Sequence, residues 1–129
     1  MKNSKALTIY LTIAGLLLTL IGSGTLLMPE TVKVAAGIDL GGNVNILNDL
    51  RASAAVILSF ALLLLAGAFS EKLRFTSSLI APILFLALGV GRLLSISMDG
   101  MPVDGLVQAT GLEFVLGIVG TLLFIKNKQ

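Results

Sequence analysis

Apolar residues occur along the chain in four long runs that are separated by short polar segments. The runs contain only two charged residues, Arg92 in the third and Glu113 in the fourth. Each run is close to the ~20 residues that a helix needs to cross about 30 Å of hydrocarbon, and none shows the two-residue alternation of a membrane barrel strand. The pattern predicts an all-α, integral membrane four-helix bundle that forms one domain over residues 1–129. Its helices are predicted at about 6–28, 50–69, 78–98 and 106–125.

The segments between the runs contain residues that end helices and form turns. The sequence "DGMPVDG" lies between the third and fourth runs and is typical of a tight turn. Pro82 falls in the first turn of the predicted third helix, where its missing N–H costs little. The longest break, 29–49, contains "PETVKVAAGI", and Pro followed by Glu favours a helix start. This break is predicted to be an outer loop with a short interfacial helix, which is either a plain connector, the favoured interpretation, or a lid over the outer opening.

Basic residues near the helix ends indicate the orientation of the bundle, because cytoplasmic loops are enriched in them. One side would carry Lys2, Lys5, Lys72, Arg74, Lys126 and Lys128. The loops on the other side carry Lys33 alone. An up-down-up-down bundle with cytoplasmic N and C termini is therefore predicted. The first run exceeds the apolar region of a signal peptide and is followed by no clean cleavage motif, which favours a retained helix.

The composition agrees with a bilayer environment and narrows the chemistry. Charged residues make up 12% of the chain and hydrophobic residues 56%, whereas soluble domains usually contain about 25% charged residues. The net charge of +2 is scattered, so no nucleic-acid partner is expected. Cys and His are both absent, which removes thiol chemistry, the commonest metal ligands and the usual general base. Neither a metal nor a cofactor is predicted.

Small residues recur at helical spacing on one face of three predicted helices. These stripes are Thr8, Thr12, Gly15, Thr19 and Gly22 in the first helix; Asn48, Ala52, Ala55, Ser59 and Ala66 in the second; and Ala109, Glu113, Gly117 and Gly120 in the fourth. Small side chains allow membrane helices to approach closely. The stripes are therefore predicted to be packing surfaces, within one bundle or between copies of the chain.

The third predicted helix carries Arg92, Ser95 and Asp99 on one stripe. If this helix ends near Asp99, Arg92 lies about 10 Å deeper, at a rise of 1.5 Å per residue. Glu113 follows Leu106, the predicted start of the fourth helix, by seven residues and therefore reaches about the same depth. An unpaired charge there would cost at least about 2.5–3.5 kcal/mol. A contact between Arg92 and Glu113 is predicted, either direct or through water.

Polar residues at the start of the second helix add to this group on the outer side. Arg51 is predicted to turn toward Asp99, because Asp49 is two residues away and does not face it on a helix. Two arginines can hold a phosphate or a carboxylate, and a lipid head group is the natural anion at that depth. The predicted ligand-binding residues are Asn48, Asp49, Arg51, Arg92, Ser95, Asp99 and Glu113. No residue is assigned as catalytic.

Several interpretations of this polar cluster remain open. It is either an internal ion-pair network that fixes helix register or an outward-facing pocket. The leading interpretation is a non-enzymatic membrane protein whose pocket binds an anionic or polar ligand, such as a lipid, or a partner subunit. One alternative is a small membrane enzyme that acts on a lipid-like substrate with Glu113 or Asp99 as acid or base. Another is a homo-oligomer that translocates a solute or protons.

Four motifs of the chain resemble a known family: "LMPE", "NDLRASAA", "GRLLSISMDGMP" and "LEFVLG". Together they are similar to the bacterial membrane-protein family catalogued as domain of unknown function 4345. Ala52 stands where that family tends to have glycine. The matching positions are Asn48, Arg51, Gly91, Arg92, Ser95, Asp99, Gly100, Pro102 and Glu113. The resemblance implies a small four-helix protein of the bacterial inner (cytoplasmic) membrane and no particular activity.

Overall fold

The computed structural model describes residues 1–128, and all regular structure in this range is helical. The helices are α1 (Lys5–Leu27), α2 (Pro29–Ala35), α3 (Val44–Phe69), α4 (Glu71–Asp99) and α5 (Asp104–Asn127). Four of them, α1, α3, α4 and α5, are long and apolar enough to cross a membrane. The predicted all-α class with four long apolar helices is therefore confirmed. The short helix α2 lies within the break where the sequence predicts a helix start.

Side-chain caps explain where α1 and α3 begin. The hydroxyl of Ser4 accepts a hydrogen bond from the backbone N–H of Leu7, and Asn43 Oδ1 accepts from Asn45 and Ile46. Such caps satisfy N–H groups that lack partners in the first turn of a helix. Because Asn43 provides this cap, α3 begins at Val44, six residues before the predicted start at 50.

The start of α4 differs from the prediction in a way that changes the role of Pro82. Only Ser70 separates α3 from α4, so the polar segment predicted as a loop is helical from Glu71 onward. Pro82 consequently lies inside α4, and its predicted place in the first turn is wrong. A proline there removes the bond to the carbonyl of Ser78, a loss that membrane helices tolerate. At 29 residues, α4 is about 43 Å long and extends beyond the hydrocarbon layer.

The helices pack in the order α1, α3, α4, α5 around the bundle, and α3 and α5 do not approach each other. Glycines permit the closest contacts. A Cβ on Gly22 would lie 3.0 Å from the backbone nitrogen of Leu58, and one on Gly117 would lie 2.6 Å from Leu86. The link between α5 and α1 is narrower and includes a hydrogen bond from the Tyr10 hydroxyl to the carbonyl of Leu116, at 2.7 Å.

The predicted packing stripes of α1 and α5 do face neighbouring helices, but that of α3 does not. Asn48, Ala52, Ala55 and Ser59 are all exposed. The buried face of α3 instead carries Ala54, Ala61, Leu64 and Ala68, and the last three belong to one core cluster with residues such as Leu11 and Phe85. Of the two alternatives predicted for the small stripe of α3, packing within the bundle is therefore wrong, and packing between copies stays a prediction. In this helix alanines on a different face provide the close approach.

Both chain termini lie at the same end of the bundle, called here the terminal end. The backbone N–H of Lys2 donates to the carbonyl of Asn127 at 2.9 Å. At the same end Arg74 donates to Asn3 Oδ1 and to the carbonyl of Ala68, each at 3.1 Å. The opposite end, called the α2 end, contains α2 and the turn between α4 and α5. Successive long helices therefore run in alternating directions.

Candidate functional site

Arg92 on α4 and Glu113 on α5 form an ion pair in the half of the bundle nearer the α2 end. Arg92 Nε donates to Glu113 Oε1 at 2.5 Å, and this is the one salt bridge within residues 1–128. The Glu113 side chain is only 9% exposed, whereas that of Arg92 is 36% exposed. The contact predicted from the depths of the two residues is confirmed.

The ion pair leaves part of both side chains unused. Glu113 Oε2 is buried and has no hydrogen-bond partner within residues 1–128. The Nη1 and Nη2 groups of Arg92 make no hydrogen bond in that range either, although a guanidinium has five N–H donors. A buried carboxylate oxygen without a donor is costly, and it therefore marks a place where another polar group would be stabilised.

A cavity of about 250 Å³ lies between the long helices on the inner side of this pair, and we call it the central cavity. Leu18, Phe85 and Leu116 are among the apolar side chains that form most of its wall. Its polar lining consists of Thr25, Lys33, Ser53, Arg92 and Glu113. An apolar chamber with a few convergent polar groups is the usual form of a small-molecule site.

Lys33 also belongs to this site, although from the sequence it indicates only the orientation of the bundle. It lies on the inward face of α2 with Pro29 and Val32, and these residues, like Ala36 at the C-cap, are less exposed than their neighbours. Burial lowers the pKa of the Lys33 ammonium, and the nearby charge of Arg92 lowers it further. The three- and four-residue spacing of this face is the signal that could have identified Lys33 from the sequence.

Arg51 does not contact Asp99, and that predicted pairing is wrong. Its Nη1 group donates instead to the backbone carbonyl of Leu26, at 2.5 Å. Leu26 is in the last turn of α1, where carbonyls have no partner within the helix. Because α1 packs tightly on α3, Arg51 reaches this carbonyl and ties the end of α1 to the start of α3.

The remaining predicted site residues lie apart from the ion pair. Ser95 Oγ donates to Asp99 Oδ2 at 3.1 Å, one turn further along α4, and both residues are exposed. Asn48 and Asp49 are exposed near the start of α3. The structure thus groups Arg92 with Glu113 and Ser95 with Asp99, but it does not gather all seven residues around one point. Their assignment as ligand-binding residues stays a prediction.

A second concavity, the α4–α5 groove, lies on the other side of Arg92. It has a volume of about 380 Å³. Its lining includes Gly91, Ser95, Pro102 and Thr110, and it shares Leu88 and Arg92 with the central cavity. Arg92 therefore borders two spaces, one inside the bundle and one along the seam between α4 and α5.

These observations define the class of the protein: a small, multi-pass, α-helical membrane protein with a charged pair inside its bundle. The chain belongs to the family described as Domain of unknown function (DUF4345), whose sequence pattern matches residues 6–124. The resemblance carried by the four sequence motifs is thereby confirmed. No curated protein and no solved structure matches the chain significantly.

Proposed function

We propose that this protein binds a single-chain anionic amphiphile in the central cavity, with the anionic group at Lys33 and Arg92 and the chain among the apolar side chains. The observation that carries the proposal is a charge imbalance at one end of an apolar chamber. Two cationic side chains, Lys33 and Arg92, line the cavity with one carboxylate, Glu113. A bound anion would neutralise the excess positive charge.

The unused donors support an anionic ligand over a neutral one. The Nε group of Arg92 is committed to Glu113, which leaves Nη1 and Nη2 for a carboxylate, sulfonate or phosphate. Lys33 and Arg92 are close enough for the charge of Arg92 to lower the pKa of Lys33. An anion between them would reverse this repulsion and would stabilise the protonated form of Lys33.

The volume of the central cavity argues for a small ligand or one acyl chain. An apolar cavity of about 150 Å³ holds a benzene molecule, and pockets for drug-sized ligands measure about 300–1,000 Å³. The central cavity, at about 250 Å³, lies between these sizes. It suits part of a single chain better than the two chains of a phospholipid.

The proposal includes an orientation and a location. The terminal end carries Lys2, Lys5, Lys72, Arg74, Lys126 and Lys128. This bias supports cytoplasmic N and C termini, with the α2 end on the outer side of a bacterial inner membrane. Membrane lipids are then the natural source of the ligand. The exposed small residues on α3 are available for contact with a second copy or a partner subunit.

Ligand binding can be measured by native mass spectrometry on protein in a mild detergent, with palmitate as the probe. Lys33→Gln should weaken palmitate binding about tenfold, because a charge-assisted hydrogen bond contributes about 1.5–3 kcal/mol. The matched control is Lys72→Gln, which removes an exposed lysine at the terminal end and should leave binding unchanged. No palmitate binding by the unaltered chain, or equal losses in both variants, would contradict the proposal.

Proton transfer at Glu113 is a second candidate function, and the buried, unpartnered Oε2 atom favours it. Such a carboxylate would suit an acid or base that acts on a lipid-like substrate, or a proton carrier in an oligomeric translocator. Asp99 is exposed and holds Ser95, which makes it the weaker acid–base candidate. Proton flux into vesicles that is present with the unaltered chain and absent with Glu113→Gln would favour translocation over binding alone.

A further inference from the structure

The α4–α5 groove runs along a face of α4 that the bundle does not cover. Ala87, Gly91 and Ser95, which line the groove at intervals of four residues, are all exposed. Pro102, in the turn after α4, also lines it. From Ala87 to Asp99 at the end of α4 is 12 residues, or about 18 Å along the helix axis. The groove therefore extends from the end of α4 into the depth of the hydrocarbon layer.

Arg92 of the ion pair borders both this groove and the central cavity. Leu88 and Arg92 line both spaces, and Glu113 lines only the central cavity. Arg92 is held by one hydrogen bond through Nε, and its side chain is one-third exposed. Rotation of this long side chain about its own bonds would move one of the two residues that line both spaces.

We propose that the α4–α5 groove is a lateral portal through which the anionic amphiphile passes between the bilayer and the central cavity, guided by Arg92. This inference rests on the proposed function and deepens it, because the ligand would then enter from the bilayer and not from aqueous solution. The head group would stay at the depth of Arg92 while the chain moves from lipid into the bundle.

The distribution of charge distinguishes this route from the other side of the central cavity. Between α1 and α5 the cavity has exposed lining residues as well, Ile21 and Leu112, but both are apolar. An anionic head group that crosses between these two side chains would lose its solvation against apolar surface. Along the α4–α5 groove it would meet the free nitrogens of Arg92, so this route has the lower electrostatic cost.

Two glycines provide a matched pair of variants for the test. Gly91 lines the groove, whereas Gly111 on α5 lines neither the groove nor the central cavity. At both positions an added Cβ would meet nothing within 4 Å, and both residues are exposed. Leucine should therefore be accommodated at either site, but only Gly91→Leu would place a side chain in the portal.

The experiment measures the rate at which the ligand leaves the protein into a membrane. Tagged protein loaded with radiolabelled palmitate is placed in phosphatidylcholine nanodiscs and mixed with excess protein-free vesicles. The nanodiscs are then captured at intervals and counted. Gly91→Leu should slow the release of palmitate at least about tenfold, whereas Gly111→Leu should release it at the rate of the unaltered chain. Equilibrium binding of palmitate in detergent should be the same for all three proteins, because a blocked portal changes rates and not affinity.

The other outcomes each contradict the portal. A normal release rate in Gly91→Leu, or equal slowing in both glycine variants, would exclude a specific role for the groove. Slowing by Ile21→Phe but not by Gly91→Leu would place the route between α1 and α5. Loss of equilibrium binding in Gly91→Leu would indicate that the ligand binds in the groove itself and does not merely pass through it. No binding by the unaltered chain in detergent would overturn the proposed function, and the portal with it.

Discussion

At the residue scale, the Arg92–Glu113 pair is the part of the site that the sequence predicts most directly. Arg92 lies seven positions before Asp99 and Glu113 seven positions after Leu106, the ends predicted for their helices. Antiparallel neighbours with an equal rise per residue bring such positions to about one depth. The partner of Arg51, in contrast, could not be predicted from the positions of charged residues. Its acceptor is a backbone carbonyl on α1, and backbone acceptors at helix ends leave no trace in the pattern of charged residues.

The ion pair should be strongly coupled in a double-mutant cycle. Arg92→Met alone should lower the free energy of unfolding by about 3 kcal/mol, because it leaves the Glu113 carboxylate buried without a partner. Arg92→Met combined with Glu113→Leu should recover most of this loss, since apolar residues often replace a buried pair at little cost. The unfolding free energies can be measured in mixed micelles with increasing sodium dodecyl sulfate.

An exposed pair on the same helix provides the control for this cycle. Ser95→Ala and Asp99→Asn, singly and together, should each change the free energy of unfolding by less than about 0.5 kcal/mol. If the Arg92 and Glu113 substitutions prove additive, like those of the control pair, the ion pair does not stabilise the bundle.

Lys33→Gln should leave the free energy of unfolding nearly unchanged, because the contribution proposed for Lys33 is to ligand binding.

At the scale of the elements, hydropathy predicts the four long helices but misplaces the polar turns at their ends. The first two turns of α4 are polar, and an interfacial helical turn has the same composition as a loop. In the short helix α2, only Pro29, Val32, Lys33 and the C-cap residue Ala36 indicate which side of the helix faces the bundle. The small residues on the exposed face of α3 do not reveal from sequence which face packs within the bundle, because alanine and serine are also compatible with a lipid-facing surface. Only the position of α1 decides between the two faces.

The close packing of α1 on α3 should be sensitive to a single methyl group. Gly22→Ala would place a Cβ 3.0 Å from the backbone nitrogen of Leu58, which cannot move without the helix. It should lower the free energy of unfolding by about 1–3 kcal/mol. Gly91→Ala, where the new Cβ has open space, should instead be neutral or raise it by up to about 1 kcal/mol through helix propensity. Equal effects of the two substitutions in a detergent unfolding titration would contradict the role assigned to Gly22.

At the scale of the whole molecule, the two ends of the bundle have different chemistry. The terminal end gathers the basic residues, and its one buried cation, Arg74, is satisfied in part by Asn3 and by the carbonyl of Ala68. The α2 end contains the ion pair, the central cavity and the groove. A basic end opposite an end with a cavity and a groove is consistent with a binding protein that exchanges its ligand with one leaflet only.

The orientation of the bundle determines which leaflet that is, and cysteine labelling can measure it. The chain has no cysteine, so Lys128→Cys and Met101→Cys each create a unique thiol, at the terminal end and in the turn between α4 and α5. A membrane-impermeant maleimide should label position 101 on intact bacterial spheroplasts and position 128 only after permeabilisation, because basic ends remain in the cytoplasm. Lys2→Cys is the control and must behave like Lys128→Cys, since the backbones of Lys2 and Asn127 are hydrogen-bonded. Labelling of position 128 from outside would show that the bundle has the opposite orientation, and the portal would then exchange its ligand with the inner leaflet.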